Sequence, residues 1–232
     1  MLKLEGVEIR KGDFHLSGQF TLKQGHIFAV LGPSGGGKST LLEAVAGFEP
    51  VHAGRMSWNG QDITVAPPGA RPIAMLFQDG NLFPHLTAAQ NVGLGLRPNL
   101  RLSTQDHEAI ARALQEVGLD GFADRKPASL SGGQQARVAL ARLTVQKRAL
   151  ILLDEPFAAL GPALKAEMLN MVTDMARARG ATVMMVTHEP QDAREVADEV
   201  VLVAEGQAHP PVPTEEIFMN PPPALRDYLG AT

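Results

Sequence analysis

The sequence Gly32-Pro33-Ser34-Gly35-Gly36-Gly37-Lys38-Ser39-Thr40 lies between an apolar run at residues 27–31 and a helix-prone run at residues 41–46. It fits the pattern G-x-x-x-x-G-K-[ST] in the strand–loop–helix setting that a phosphate-binding loop requires. The glycines let successive backbone N–H groups surround an anion, and the following helix directs its positive end to the same place. We therefore predict that this stretch binds a nucleotide, with Lys38 reaching the β- and γ-phosphates and the Ser39 hydroxyl binding Mg²⁺.

The composition of the chain limits the kinds of protein to which this loop can belong. The chain has 232 residues, of which 44% are hydrophobic and 20% charged, and its net charge is -4. These values are typical of a globular chain with a sizeable core, and they give no electrostatic reason to expect nucleic acid as a partner. The chain has no cysteine, which excludes disulfides and thiolate metal sites. No apolar run approaches the roughly 18 residues of a membrane span, and the N-terminus lacks a secretion signal, so we expect membrane association only through other chains.

The order of strand and helix patterns predicts a single α/β domain over residues 1–232. Apolar residues that alternate at 2–9, and less regularly at 14–22, and a short strand pattern at 55–58 followed by Asn59-Gly60 indicate an antiparallel β layer. Strand and helix patterns alternate after residue 149, which indicates a mainly parallel sheet. We assign the core to residues 1–84 and 149–232, and an inserted helical subdomain to 85–148. In the proline-rich tail we expect little regular structure beyond a short helix near residues 214–219.

Two carboxylates follow a continuous apolar run at residues 150–153, a pattern typical of a strand buried on both faces. The carboxyl ends of such strands face the ligand crevice of an open α/β sheet. We therefore predict that Asp154 helps to hold Mg²⁺ and that Glu155 is the general base for an attacking water. The alternative is a pair of acids that merely ends a strand in solvent.

The sequence Leu130-Ser131-Gly132-Gly133-Gln134 predicts a second anion-binding helix start, ahead of a helix from about residue 135 to residue 147. Ser131 is a good N-cap, and the two glycines leave backbone amides open. One chain does not need two such sites for one triphosphate, whereas two facing chains would each lend this turn to the other's nucleotide. An ordinary serine-capped helix is the alternative. A similar cap, Ser103 with Asp106, predicts another helix that ends near Gly118.

The segments Gly32–Thr40, Gln78, Leu130–Gln134, Leu150–Glu155 and His188 together resemble the ATP-binding subunits of ABC transporters in order and spacing, over essentially the whole chain. The resemblance implies a P-loop NTPase fold with a RecA-like parallel-sheet core, an N-terminal antiparallel β layer and an inserted helical subdomain. It implies ATP and Mg²⁺ as cofactors, Gln78 as a sensor and ligand of the metal or its water, and His188 as a contact of the γ-phosphate.

The same resemblance implies partners. We expect a homodimer that docks two membrane-spanning permease domains near Phe83–Asn91, on the cytoplasmic face of the bacterial inner membrane, with a solute-binding protein acting through the permease. The stretches Arg71–Gln78, Asn81–Thr87 and Asn91–Leu96 are most similar to the ATPase of thiamine-type importers. Importers of polyamines, iron and sulfate share much of this pattern, so the solute stays open.

The chain departs from the family pattern at two places. Gly161 stands where the family usually has an aspartate, which affects communication between the two nucleotide sites. Lys11 stands where the family usually has the aromatic residue that stacks on adenine; Phe14 is a candidate replacement, and a core strand residue is the alternative.

Three other functions compete with that of a transporter ATPase. A small phosphotransferase would share the phosphate loop, but it does not explain the second amide-rich turn. A non-transport switch of the same family usually carries two cassettes or a long coiled coil, whereas this sequence has the motifs of one cassette. A subunit that binds ATP without hydrolysing it is disfavoured by the presence of Lys38, Asp154, Glu155 and His188.

Overall fold

The computed structural model describes residues 1–78 and 80–230. In chain order its strands are β1 (Leu2–Lys11), β2 (Phe14–Leu22), β3 (Ile27–Leu31), β4 (Ala53–Trp58), β5 (Gln61–Asp62), β6 (Ile73–Leu76), β7 (Leu150–Asp154), β8 (Thr182–Val186), β9 (Glu199–Ala204), β10 (Gln207–Ala208) and β11 (Val212–Pro213). The helices are α1 (Lys38–Ala46), α2 (Ala88–Gly93), α3 (Thr104–Glu116), α4 (Gly132–Val145), α5 (Pro162–Arg179), α6 (Pro190–Val196), α7 (Thr214–Met219) and α8 (Pro223–Leu229). None of the helices in the described part of the chain is long and apolar enough to cross a membrane.

The N-terminal strands form the predicted antiparallel layer. β1 pairs with β2 on one side and with β4 on the other, and β4 continues into β5. Asn59 and Gly60 connect β4 to β5, both with positive φ, of 48° and 82°. Asparagine and glycine tolerate that conformation at little cost, which is why this dipeptide closes a hairpin here.

Five strands form the parallel core in the order β9-β3-β8-β7-β6, with every neighbouring pair parallel. Along β7, Ile151 and Leu153 belong to the cluster beneath α4 and α5, and Leu150 and Leu152 to the cluster shared with α1 and the antiparallel layer. The strand is therefore covered on both faces, as its continuous apolar run predicts.

Between β6 and β7 the described residues form helices and no strand. Ser103 and Asp106 cap α3 reciprocally, as predicted. α4 begins at Gly132 rather than near residue 135, because Ser131 and Gln134 form a capping box that places both glycines in the first turn. The helix ends at Val145, before the expected Lys147.

The short helix predicted near residues 214–219 is α7, but the expectation of little other regular structure in the tail is wrong. β10 runs parallel to β2 and antiparallel to β9, so it joins the antiparallel layer to the core sheet. β11 adds to β9, and a further helix, α8, buries Leu225 in a cluster with α6 and α7. The prolines are compatible with this regular structure because they lie at strand ends and at helix starts, where a missing N–H is tolerated.

A buried arginine fixes the helix that follows the phosphate loop. Arg71 is only 3% exposed, and its Nη1 donates to the carbonyls of Ala44 and Val45, each at 2.7 Å. These carbonyls end α1, where a cation also complements the helix dipole. The other end of α1 carries Lys38 and Ser39.

Candidate functional site

The site forms where three neighbouring parallel strands end. β3 leads into Gly32, β7 ends at Asp154 and β8 is followed by Thr187 and His188. Because β8 lies between β3 and β7 and all three run in one direction, their carboxyl ends meet at one edge of the sheet. A cavity of about 310 Å³ opens there, lined by Lys11, Phe14, Ser34, Gly35, Gly37, Lys38, Ser39, Thr40, Glu155 and His188.

The loop from Gly32 to Thr40 wraps around the Lys38 ammonium group. Lys38 Nζ donates to the carbonyls of Gly32 and Pro33, each at 2.9 Å, and the Gly36 amide donates to the Pro33 carbonyl at 3.1 Å. Burial lowers the pKa of Lys38, while Glu155 and Asp154 oppose that shift. Fixed this way at the start of α1, the ammonium group is a preorganised positive charge for an anion in the cavity.

Ser39 and Asp154 come together as an oxygen-rich pair. The Ser39 hydroxyl donates to Asp154 Oδ1 at 2.9 Å, although 115 residues separate them in the chain. Burial raises the pKa of Asp154, with the Ser39 hydrogen bond opposing the shift and Glu155 adding to it. A hydroxyl and a carboxylate are hard oxygen donors of the kind that Mg²⁺ takes when it also binds phosphates, so the donor set fits that ion.

Glu155 and His188 form the polar end of the cavity. His188 Nε2 lies 2.5 Å from Glu155 Oε1. The Glu155 backbone has a φ of 47°, and its amide donates to the Val186 carbonyl at 3.0 Å. A positive φ in a non-glycine residue is costly and is typical of functional positions, where the surroundings impose it. Here it turns the Glu155 side chain back toward the carboxyl end of β8.

Phe14 and Lys11 border the cavity on the side of the antiparallel layer. A Cβ added to Gly37, whose φ is +100°, would lie 2.4 Å from Phe14 Cζ, so the ring covers the loop closely. Lys11 forms ion pairs with Glu43 at 3.6 Å and with Glu49 at 3.3 Å. The ring that the sequence offered as a base-stacking candidate therefore borders the cavity, beside the lysine that replaces the usual aromatic residue.

Gly32, Pro33, Gly36 and Asp154 contact this part of the structure without lining the cavity, and two further groups of predicted residues lie outside it. Gln78 is exposed and lines another cavity, of about 260 Å³, together with Gly132, Phe157 and Leu160. Ser131, Gly132, Gly133 and Gln134 form the start of α4, and the Gln134 amide donates to Ser131 Oγ at 3.3 Å. Ser131 and Gly132 are exposed, whereas Gly133 and Gln134 are partly buried. The N–H groups of Gly132 and Gly133 belong to the first helical turn, which has no intrahelical acceptor for them.

Sequence reasoning missed the residues that hold the His188 backbone. Lys165 in α5 pairs with Asp192 Oδ2 at 2.7 Å and with Glu189 Oε1 at 3.0 Å. Tyr228 in α8 donates its hydroxyl to the His188 carbonyl at 2.5 Å, and burial raises the pKa of that phenol. Lys165 and Tyr228 are both far from His188 in the sequence, so no local spacing marks them.

The chain matches the family model described as ABC transporter over residues 17–158. It is 59% identical to the thiamine import ATP-binding protein ThiQ of Ruegeria sp. (strain TM1040), covering 100% of both chains. The protein of that name in Cereibacter sphaeroides is 56% identical, covering 99% of this chain and 100% of the relative.

A solved structure extends the likeness to three dimensions. The ATP-binding cassette MJ0796, in a dimeric post-hydrolysis state bound to ADP and Pi, superposes with a TM-score of 0.79 at 28% identity, covering 92% of this chain and 99% of that one. Fold, phosphate loop and relatives agree, and the chain belongs to the ATP-binding subunits of the ABC transporter family.

Proposed function

We propose that this chain is the ATP-hydrolysing subunit of an importer and that the imported solute is thiamine. ATP hydrolysis is supported by one observation. Lys38, Ser39, Glu155 and His188 line one cavity, and Ser39 is bonded to Asp154. The assignment of thiamine as the solute rests on two relatives named for thiamine import, which are 59% and 56% identical over their full length.

The residues of the cavity divide the work of hydrolysis. The amides of residues 32–40 and the Lys38 ammonium group bind the phosphates, and Phe14 stacks on the base. Ser39 and Asp154 would hold Mg²⁺, with Gln78 near the metal or its water; when bound, the ion neutralises phosphate charge. Glu155 takes a proton from the attacking water. His188 holds the γ-phosphate and keeps the Glu155 carboxylate oriented.

The start of α4 completes the site of a second copy of this chain. The Ser131–Gln134 turn, which is exposed at Ser131 and Gly132, lies outside the phosphate cavity of its own chain, while its first-turn amides are suited to an anion. The MJ0796 cassette is described as dimeric with ADP and Pi, which supports a nucleotide-bound dimer for this chain too.

The permease docks on the surface near Phe83–Asn91. Phe83 is 47% exposed, and its ring lies edge-on to His85 with centroids 6.0 Å apart. Buried Asn91 holds this segment, since its side chain accepts from the Phe83 amide at 2.8 Å and donates to the carbonyls of Phe83, Leu86 and Thr87. A rigid segment with an exposed aromatic residue suits a transmembrane subunit that inserts a helix there.

The decisive experiment replaces Glu155 by glutamine and measures MgATP hydrolysis and nucleotide affinity. We expect the rate to fall about 10²–10⁴-fold, as for the loss of a general base, with the affinity for ATP retained. Glu205→Gln is the matched control, because Glu205 is also a glutamate with positive φ, at 51°, but it lies outside the cavity. Hydrolysis by Glu155→Gln at the unmutated rate would refute the base assignment.

A second measurement tests the solute and the class of partner. The chain is reconstituted with its co-purifying membrane subunits, and the ATPase rate is measured with thiamine, spermidine, ferric iron or sulfate added with the solute-binding protein. Stimulation by thiamine alone supports the proposal. Stimulation by another solute reassigns the importer, and co-purification with ribosomes or DNA instead of membrane subunits favours the non-transport switch.

A further inference from the structure

The segment Thr187–Glu189, here called the histidine loop, carries His188 and is held by an ion pair with α5. Lys165 Nζ contacts Asp192 Oδ2 at 2.7 Å and Glu189 Oε1 at 3.0 Å. The Lys165 and Asp192 side chains are 10% and 9% exposed. Burial shields this pair from screening by salt and water, so it acts as a fixed link rather than as a surface contact.

The link continues through Asp192 into the histidine loop itself. Thr187 Oγ1 donates to Asp192 Oδ2 at 2.5 Å, and the same Thr187 oxygen accepts from the Glu189 amide at 3.1 Å. Thr187 is therefore bonded to the carboxylate that Lys165 neutralises, and Glu189 is bonded to Thr187 and to Lys165 itself.

Lys165 also lies close in sequence to Glu155, in the helix that follows it. Its backbone amide donates to the Gly161 carbonyl at 2.9 Å in the first turn of α5. The segment before Gly161 begins at Glu155, and the Leu160 amide donates to the Phe157 carbonyl at 2.9 Å within it. Lys165 thus lies in the first turn of the helix that follows the Glu155 segment, and its side chain reaches the loop that carries His188.

We propose that Lys165 is a positioning residue for ATP hydrolysis, which keeps His188 on Glu155 by tying the start of α5 to the histidine loop. This inference rests on the proposed roles of Glu155 and His188. Lys165 is not among the residues that line the phosphate cavity, so its contribution is to geometry and not to nucleotide binding. A small displacement of a catalytic group is enough to slow a reaction strongly.

The test compares Lys165→Met, Lys165→Arg and Asp192→Asn in the full chain by steady-state MgATP hydrolysis. We expect Lys165→Met to lower kcat about tenfold or more while KM for ATP changes less than about twofold, since geometry is lost but the phosphate loop is untouched. Lys165→Arg should restore most of kcat because the charge and its reach are kept. Asp192→Asn should lower kcat in the same sense, and it carries the test if Lys165→Met does not fold.

The matched control is Arg179→Met, at the opposite end of α5, where the guanidinium donates to the Thr144 carbonyl at 2.7 Å. It removes a cation and a tertiary hydrogen bond from the same helix without touching the histidine loop, so kcat should stay near the unmutated value. A fall in kcat for Arg179→Met equal to that for Lys165→Met would overturn the inference. So would a failure of Lys165→Arg to restore turnover.

A His188→Ala variant separates failure of this inference from failure of the proposed function. If His188→Ala is slow and Lys165→Met adds no further loss in that background under single-turnover conditions, Lys165 acts through His188 as proposed. If the two losses multiply, the positioning role is refuted. Full activity of His188→Ala would refute the proposed role of His188 itself, whereas a slow His188→Ala beside an unimpaired Lys165→Met would refute only the present inference.

Discussion

Replacing Gly32 by alanine should destabilise the protein far more than the same substitution at Gly35, which lies in the same loop. A Cβ added at Gly32 would lie 2.0 Å from the Val203 carbonyl oxygen in β9, where an ordinary contact is 3.4 Å or more. The loop or the strand would have to move by roughly 1 Å or more within a closely packed sheet. The φ of +148° at Gly32 adds backbone strain for any other residue.

These two effects set the expected magnitude. Overpacking in a core costs about 1–3 kcal/mol, and a strained backbone conformation costs about 1–3 kcal/mol, so we expect a loss of about 2–6 kcal/mol for Gly32→Ala. Gly35 has a φ of +75° and nothing within 4 Å of an added Cβ. Only backbone strain applies there, and we expect a loss of about 1–2 kcal/mol for Gly35→Ala.

Urea unfolding measures the difference, because the single tryptophan, Trp58, is buried in the antiparallel layer and its fluorescence reports the folded state. A loss of about 4 kcal/mol is a large share of the 5–15 kcal/mol typical of a domain, so the midpoint shift should be unmistakable. Equal destabilisation by the two variants would mean that Gly32 does not approach the Val203 carbonyl, and the reasoning would fail.

Two further predictions concern a titrating group and a helix cap. Because burial raises the pKa of Asp154 above its ordinary 3.8, the folded protein binds that proton more tightly than the unfolded chain does. Ionised Asp154 therefore costs stability above both pKa values, and the cost disappears as pH falls through the raised pKa, so Asp154→Asn should be more stable than the unmutated protein at pH about 7.5 and lose that advantage near pH about 4. Gly161 is the N-cap of α5 with a φ of -65°, no side-chain cap and open space around an added Cβ, so Gly161→Asp should stabilise the fold by about 0.5 kcal/mol.

Each of these has its own control. Urea midpoints of Asp154→Asn at the two pH values decide the first, since an advantage that is absent at neutral pH, or that persists unchanged in acid, contradicts the burial argument. For the second, Gly161→Ala gains a Cβ but no hydrogen-bond acceptor. If Gly161→Asp is no more stable than Gly161→Ala in thermal unfolding, the carboxylate does not cap α5.

Much of the fold followed from local patterns. The period of two in β2 and the continuous apolar run of β7 marked strands with different surroundings, and the structure places them in the antiparallel layer and the parallel core. The cap at Ser103 was readable because it depends on a partner three residues away. The start of α4 was placed too late because glycines are poor helix formers, and the capping box at Ser131 overrides that propensity.

Local patterns did not predict the tail or the support of the site. β10 is two residues long and exists because β2 and β9 offer it an edge on each side. Arg71 reads as an ordinary loop residue, yet it is buried on the last carbonyls of α1. Such features depend on which surfaces the chain brings together, and no spacing in the sequence records that.

The sequence by itself determined the chemistry of this protein, because the phosphate loop and the carboxylates after β7 need only a strand, a turn and a helix start in the right order. Tertiary structure alone decided how that chemistry is held. The Lys165–Asp192 ion pair and the Tyr228 hydrogen bond to His188 join segments from different parts of the chain. An ion pair or hydrogen bond of this kind depends on distance in space, which is set only when the helices pack on the finished sheet.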